Sequence, residues 1–165
     1  MKIKNNQLMV YKVDKDYLNY LSKIDKNVRK KDERKYYGII ITNNGKDYCI
    51  PFTSKIKRRN AKLTINIIEN KKIIAQLTLN NMIPVDNSIV ELVNISNEKD
   101  KDYLNREIIF LRKKEVKQSI IDKASNLFLV LNNPKHTDYK FFKSLCGNFD
   151  ILEQECINWI KDKKK

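Results

Sequence analysis

Two neighbouring hydroxyl side chains, Thr53 and Ser54, separate an apolar run from a strongly basic segment. The stretch reads YCIPFTSKIKRRNAK over residues 48–62, with five basic residues and no acidic one from Lys55 onward. Clustered cations attract polyanions, and hydroxyl groups donate hydrogen bonds to phosphate oxygens. Taken alone, however, a Thr-Ser pair is more typical of a turn, where both side chains bond to local backbone. The five basic residues are Lys55, Lys57, Arg58, Arg59 and Lys62.

A second basic segment, KNVRKKDERKYYG over residues 26–38, leads into the partner strand of a predicted hairpin. In a hairpin, the start of one strand lies beside the end of the next. Arg34 and Lys35 are therefore expected near Ser54. This convergence of two basic segments makes a phosphate site a credible alternative to a turn alone.

The chemistry that such a site could perform is cleavage of RNA. The 2′-hydroxyl of RNA can serve as the nucleophile if a protein aligns it with the phosphate and stabilises the developing charge. Neither a metal nor a covalent serine is then required. Thr53 and Ser54 would donate hydrogen bonds, while Lys55, Lys57, Arg34 or Lys35 would stabilise the charge.

Two further roles are predicted around this site. A lysine crowded by like charges has a depressed pKa and could act as general acid. Tyr36 or Tyr37 could stack on a base, although strand alternation should bury one of the two. Other nucleophilic and metal chemistries are disfavoured. There is no Gly-x-Ser-x-Gly elbow, the single His136 fits a surface or capping role better than that of a base, and NEKDKDY over residues 97–103 fits a helix start.

The elements that must position these residues are strands first and helices later, which predicts an α+β domain with a twisted antiparallel sheet. Asn44-Gly45 and Asn70-Lys71 are predicted to form the turns of two hairpins. Helical periodicity after residue 101 predicts one bent helix or two abutting helices ending near residue 131. The predicted strands are 8–13, 36–42, 47–53, 62–69 and 72–79 with a further strand after residue 80, and further helices are predicted at 14–25 and from Asp150, with Glu153 completing a capping box.

Composition limits the partners and the compartment. The chain has 165 residues and a net charge of +14, from 34 Lys plus Arg against 20 Asp plus Glu, which favours nucleic acid as the partner. Three widely spaced cysteines predict neither a disulfide framework nor a zinc site. The absence of a signal-like or membrane-spanning run predicts a cytoplasmic protein with no membrane partner, folded as a single domain over residues 1–165.

Several ordered stretches together resemble the toxins of type III toxin–antitoxin and abortive-infection systems, the ToxN/AbiQ endoribonucleases. These stretches are YLNYLSKIDKNV, YYGIIITNNGKDYCIPFTSKIK, LTLNNMIPV, DYLNREIIFL, DKASNL and CGNFDILEQEC. The resemblance implies a compact, highly twisted antiparallel sheet flanked by helices, similar to the Kid/MazF toxins. It also implies metal-independent cleavage of mRNA, and of the toxin's own repeated antitoxin RNA, to 2′,3′-cyclic phosphate and 5′-hydroxyl ends, with no cofactor.

The resemblance further implies inhibition by a small structured RNA, whose pseudoknot repeats join protomers into a closed protein–RNA assembly. Its central Thr-Ser falls on Thr53 and Ser54, and an upstream basic residue falls on Arg34. Where the family often has a lysine two positions after the serine, this chain has Ile56, so the catalytic cation is Lys55 or Lys57. The predicted RNA-binding residues are Lys35, Tyr36, Arg58, Arg59, Lys62 and Tyr103.

Two other functions compete with an RNA-cleaving toxin. A non-catalytic RNA-binding module would share every electrostatic feature, but its overexpression should not arrest growth. A metal-dependent nuclease is disfavoured by the lack of clustered carboxylates in the sequence.

Overall fold

An antiparallel sheet flanked by helices forms the protein, which confirms the predicted α+β class. The computed structural model describes residues 1–28, 36–56 and 58–163, with only the backbone at 58–60. Over these ranges the sheet has eight strands, ordered β5-β6-β4-β3-β2-β8, with β1 beside β3 and β7 beside β4. The likeness to Kid/MazF toxins stays a prediction. The strands are β1 Lys2–Ile3, β2 Tyr11–Val13, β3 Tyr37–Asn43, β4 Lys46–Thr53, β5 Thr64–Glu69, β6 Lys72–Thr78, β7 Ile83–Val85 and β8 Val90–Leu92.

The β3–β4 hairpin forms as the sequence predicts. Asn44 and Gly45 form its turn with φ angles of 48° and 77°, the left-handed conformation that a two-residue hairpin requires. The pairing runs from Asn43 opposite Lys46 to Gly38 opposite Pro51. A Cβ at Gly38 would lie 2.4 Å from the carbonyl oxygen of Ile50, so only glycine allows β3 to approach β4 this closely. The end of β4 is thereby held against the start of β3.

The β5–β6 hairpin also forms, but with an irregular register. Glu69 pairs with Lys72 and Ile68 with Ile73, whereas Ile67 pairs with Ala75, so that Ile74 is an extra residue in β6. An extra residue of this kind is a β-bulge, which bends the strand and re-aims the side chains beyond it. Every pairing after the bulge is therefore shifted by one residue from the register that a regular hairpin would have.

The helices cover the sheet, and most lie close to their predicted positions. The Asp14 side chain caps the first helix by accepting from the amides of Asp16 and Tyr17. The long helical region is two helices that abut at residues 112–113. One helix, 139–145, was not predicted from the sequence. The helices are α1 Lys15–Ile24, α2 Lys101–Leu111, α3 Lys114–Leu131, α4 Tyr139–Leu145 and α5 Phe149–Lys163, and short 3-10 helices occupy Lys4–Asn6, Arg58–Leu63, Leu79–Asn81 and Ile95–Asn97.

The start of α5 differs from the prediction. Asn148, rather than Asp150, provides the side-chain oxygen that accepts from the amide of Ile151, at 3.4 Å. Glu153 does not complete a capping box, because its carboxylate accepts from the side chains of Lys46 and Tyr48 on β4. Glu153 therefore links α5 to the sheet instead of capping the start of its own helix.

The core lies between the sheet and the helices. Ile39, Ile41 and Ile50 of the central hairpin are fully buried. Tyr17 of α1 is also fully buried, and its hydroxyl donates to the carbonyl oxygen of Pro84 at 2.8 Å. In the described ranges, no helix has the length and apolar character needed to cross a membrane.

The turn of the β5–β6 hairpin generates a stability prediction. Lys71 has a φ of 62°, a conformation that costs a residue with a side chain about 1 kcal/mol and costs glycine little. Lys71→Gly should therefore raise the free energy of unfolding by roughly 0.5–1 kcal/mol in urea titrations. The matched control is Lys72→Gly in the adjoining strand, which should lower it by a similar amount. A destabilising Lys71→Gly would contradict the turn geometry.

Candidate functional site

Thr53 and Ser54 lie at the end of β4, as the sequence predicts. Thr53 is the last residue of the strand, and its Oγ1 accepts a hydrogen bond from the amide of Lys55 at 3.2 Å. The Ser54 side chain is exposed and has no hydrogen-bond partner among the described residues. The turn interpretation and the phosphate-site interpretation are thus compatible, because the turn at Thr53 presents Ser54 to solvent.

The cations predicted around Ser54 are described only in part. Lys55 is exposed beside it. Lys62, at the far end of the basic segment, is ion-paired with Asp138 at 2.7 Å. Arg34, Lys35 and Lys57 lie outside the described residues, as do the side chains of Arg58 and Arg59. The alternatives of Lys55 and Lys57 as catalytic cation therefore both stand as predictions.

Tyr36 and Tyr37 lie where the β3–β4 pairing approaches Thr53, but both are buried, at 2% and 8% exposure. The Tyr36 hydroxyl donates to the carbonyl oxygen of Asn81 at 2.8 Å. This burial contradicts the prediction that Tyr36 stacks on a base. The Tyr37 hydroxyl donates to Glu98 at 2.6 Å. Burial, and then the bond to Glu98, raises the pKa of Tyr37 well above its usual range.

The Tyr103 hydroxyl, which was predicted to contact RNA, forms a hydrogen bond within the protein. Its Oη donates to the carbonyl oxygen of Ile74, the extra residue of β6, at 2.8 Å. Burial raises the pKa of Tyr103, which keeps the hydroxyl protonated as a donor. Tyr103 therefore holds α2 against the bulge, and its contact with RNA stays a prediction.

Lys123 of α3 was not singled out from the sequence, although it anchors the basic segment. Its Nζ donates to the carbonyl oxygens of Ala61 and Thr64 at 2.7 and 2.8 Å. Burial lowers the pKa of this lysine. The anchored carbonyls flank the point where the basic segment enters β5. A lysine within a helical pattern carries no sequence signal of a contact with distant backbone.

Other chemistries find little support in the described residues. His136 Nδ1 accepts from the amide of Asp138 at 3.1 Å, a local contact in the turn that precedes α4. The segment 97–103 leads into α2, as predicted. Within the described ranges, no group of three or more His, Cys, Asp or Glu could hold a metal ion. A cavity of about 410 Å³ lies at the turn end of the β3–β4 hairpin, and no described residue of the predicted site lines it.

The contact of Tyr103 with the bulge predicts a stability effect without RNA. Tyr103→Phe removes the donor to a backbone carbonyl and should lower the free energy of unfolding by about 1 kcal/mol in urea titrations. Tyr139→Phe is the control, because among the described residues that hydroxyl receives a hydrogen bond only from the exposed Lys143. Its effect should stay within about 0.5 kcal/mol. Unchanged stability of Tyr103→Phe would argue against the bulge contact.

The bond between Tyr37 and Glu98 predicts a loss of stability in alkali. The raised pKa of folded Tyr37 means that the unfolded chain ionises first, near pH 10. Its stabilisation is therefore complete below that pH and falls as the pH rises toward the folded pKa. In this window the free energy of unfolding falls as the pH rises. Tyr37→Phe should make this fall less steep, by up to about 1.4 kcal/mol per pH unit. Urea titrations at pH 9 to 11 that gave equal slopes for parent and variant would refute this.

The sequence and the fold both match known proteins. The family described as toxin ToxN, type III toxin–antitoxin system, matches residues 9–156. Endoribonuclease ToxN of Bacillus thuringiensis subsp. kurstaki is 32% identical over 158 residues, covering 87% of this chain and 80% of that protein.

Two solved structures share the fold. One, from work on selective inhibition of a bacterial type III toxin by a non-coding RNA pseudoknot, superposes with a TM-score of 0.81 at 26% identity, covering 93% of this chain and 98% of that one. The other, AbiQ, a lactococcal anti-phage endoribonuclease of a type III system, has a TM-score of 0.78 at 20% identity, covering 94% and 99% of the two chains. From the family match over most of its length, this chain belongs to the ToxN family of type III toxin–antitoxin toxins.

Proposed function

We propose that the protein is an endoribonuclease toxin that cleaves cellular or phage mRNA and its own repeated antitoxin RNA. The observation that carries the proposal is the exposed Ser54 hydroxyl, which Thr53 presents at the end of β4 beside the basic segment. The similarity to the Bacillus thuringiensis endoribonuclease supports the same activity. A site of this composition binds phosphates and supplies hydrogen-bond donors where charge develops during cleavage.

The reaction is an internal transesterification. The 2′-oxygen attacks the adjacent phosphorus and loses its proton, while the bond from phosphorus to the 5′-oxygen breaks and that oxygen gains a proton. The products are a 2′,3′-cyclic phosphate and a 5′-hydroxyl, so no bound metal or cofactor is needed. Lys55 or Lys57, together with Arg34, stabilises the negative charge on the phosphorane oxygens.

The two hydroxyl groups have complementary tasks. Thr53 Oγ1 already accepts from the amide of Lys55, so its own hydrogen remains available for donation to a phosphate oxygen. Ser54 is the more exposed of the two and donates directly to the scissile phosphate. Neither acts as a covalent nucleophile in this mechanism.

The proposed partners follow from the family and the charge. A small structured antitoxin RNA with pseudoknot repeats occupies the basic surface and joins protomers into a closed assembly. The inhibition of a related toxin by an RNA pseudoknot supports this, as does the net charge of +14. The proposed arrangement is one toxin domain over residues 1–165 that acts in the cytoplasm.

The direct test is cleavage of RNA by purified protein in EDTA. The parent should cut, and Ser54→Ala should cut about a hundredfold more slowly, because loss of one preorganised donor costs that much. Ser144→Ala is the matched control, since in the part of the chain that the structure describes its hydroxyl donates only within α4, to the carbonyl oxygen of Phe141 at 2.8 Å. Its rate should equal that of the parent. A Ser54→Ala variant as fast as the parent would exclude the proposed site, and cutting abolished by EDTA would exclude the metal-free mechanism.

Expression in cells separates the toxin from a non-catalytic RNA-binding module. Expression of the parent should arrest growth, and co-expression of the antitoxin RNA should relieve the arrest. Normal growth at high expression of the folded parent would favour the binding module.

A further inference from the structure

A row of polar side chains extends sideways from Thr53 across three strands. Thr53 of β4 pairs with Gln76 of β6, and Gln76 pairs with Asn66 of β5. Directly paired residues of an antiparallel sheet place their side chains on the same face. Two strand spacings separate the ends of the row, so Asn66 lies about 10 Å from Thr53. The row thus joins the proposed cleavage site to the edge of the sheet.

Within this row, Gln76 orients Asn66. Gln76 is buried, at 2% exposure, and its Nε2 donates to Asn66 Oδ1 at 2.8 Å. The Asn66 side chain itself is exposed. Because its oxygen is turned to Gln76, its amide nitrogen must point away. This nitrogen has no acceptor in the part of the chain that the structure describes, so two N–H donors face solvent in a fixed direction.

The bulge in β6 creates this alignment. If Ile74 were paired and the register that begins at Glu69 and Lys72 continued unbroken, Gln76 would lie opposite Ile65 rather than Asn66. Tyr103 bonds to the carbonyl oxygen of Ile74 and so supports the bulge from α2. Tyr103, a residue that the family resemblance singled out, therefore supports the polar row through the backbone of β6.

The basic segment connects the two ends of the row. Because β4 and β5 flank β6, the chain from Ser54 to Thr64 must cross β6. That connection carries five basic residues and no acidic one. Lys62, the last of the five, lies two residues before the start of β5, so an RNA strand bound at both Ser54 and Lys62 would reach β5, where the donors of Asn66 are exposed.

We infer that Asn66 is an RNA-binding residue, and that Gln76 is the positioning residue that orients it. Asn66 donates to an acceptor oxygen of a nucleotide flanking the cleaved bond, either on a phosphate or on a base. This inference rests on the proposed function and names a second contact point of the same site. It concerns substrate affinity, whereas Thr53 and Ser54 concern the cleavage step.

The first test uses Asn66→Asp, which keeps the oxygen that Gln76 contacts and replaces only the donors. The probe is a single-stranded RNA oligomer with 2′-O-methyl at a mapped cut site, so that it binds without being cut. Asn66→Asp should raise its Kd about tenfold. In cleavage of the unmodified oligomer, KM should rise by the same factor while kcat changes less than twofold. Asn132→Asp at the end of α3 makes the same charge change elsewhere and should leave Kd and KM unchanged.

The second test addresses Gln76 and the source of the acceptor. Gln76→Met should raise Kd by itself, and adding it to Asn66→Asp should cost less than the sum of the two effects, because Gln76 acts through Asn66. Thermal unfolding controls for folding. An abasic nucleotide at the flanking position should abolish the Asn66→Asp effect if a base is contacted, and a methylphosphonate should abolish it if a phosphate is.

The outcomes separate the two proposals. A parent that does not cut RNA overturns the proposed function, whatever the binding result. A parent that cuts, together with a folded Asn66→Asp variant of unchanged Kd and KM, overturns this inference alone. Additive effects of Asn66→Asp and Gln76→Met overturn the positioning role of Gln76.

Discussion

Antiparallel pairing on both sides of β4 is the constraint on which the site depends. On one side, β3 is drawn close enough that Gly38 has no room for a side chain. On the other side, β6 pairs with the last two residues of β4, Phe52 and Thr53. The end of β4 is thus fixed laterally, although Ser54 one residue later is exposed. For the proposed site, a strand end that is paired on both sides and passes directly into an exposed hydroxyl would provide the preorganisation that phosphate chemistry requires.

Local sequence signals predicted the elements that carry Thr53 and Ser54. The Asn44-Gly45 turn alone sets the register of β3 against β4, because nothing irregular interrupts the pairing between the turn and Pro51. The position of Thr53 and Ser54 at the strand end is therefore confirmed, while their catalytic roles stay predictions. The sequence also predicted the helices in which apolar residues recur over several turns. It missed α4, because a helix of 7 residues is too short to show a distinct period.

The rest of the site could not be predicted because it depends on irregularities. A two-residue turn fixes a hairpin register only as far as the first bulge, and the bulge at Ile74 has no signal in the alternating pattern. The pairing of Gln76 with Asn66 could therefore not be predicted from the sequence. Strand alternation also gave a wrong prediction for Tyr36. This residue precedes β3, so the alternation of buried and exposed side chains along the strand does not apply to it. Its ring lies in the core, and its hydroxyl donates to the backbone carbonyl oxygen of Asn81 inside the fold.

The anchoring of the basic segment by Lys123 has a thermodynamic consequence. Five basic residues fall on one short connection of the sequence, and the half-buried Lys123 of α3 donates to two backbone carbonyl oxygens at the end of that connection. The free protein therefore folds against its own electrostatic repulsion. A polyanion that binds the folded chain more tightly than the unfolded chain removes that repulsion, so its binding and the folding of the chain are linked. For the proposed RNA-inhibited toxin, the complex would then be more stable than the free chain, and release of the RNA would leave a protein that is easier to unfold.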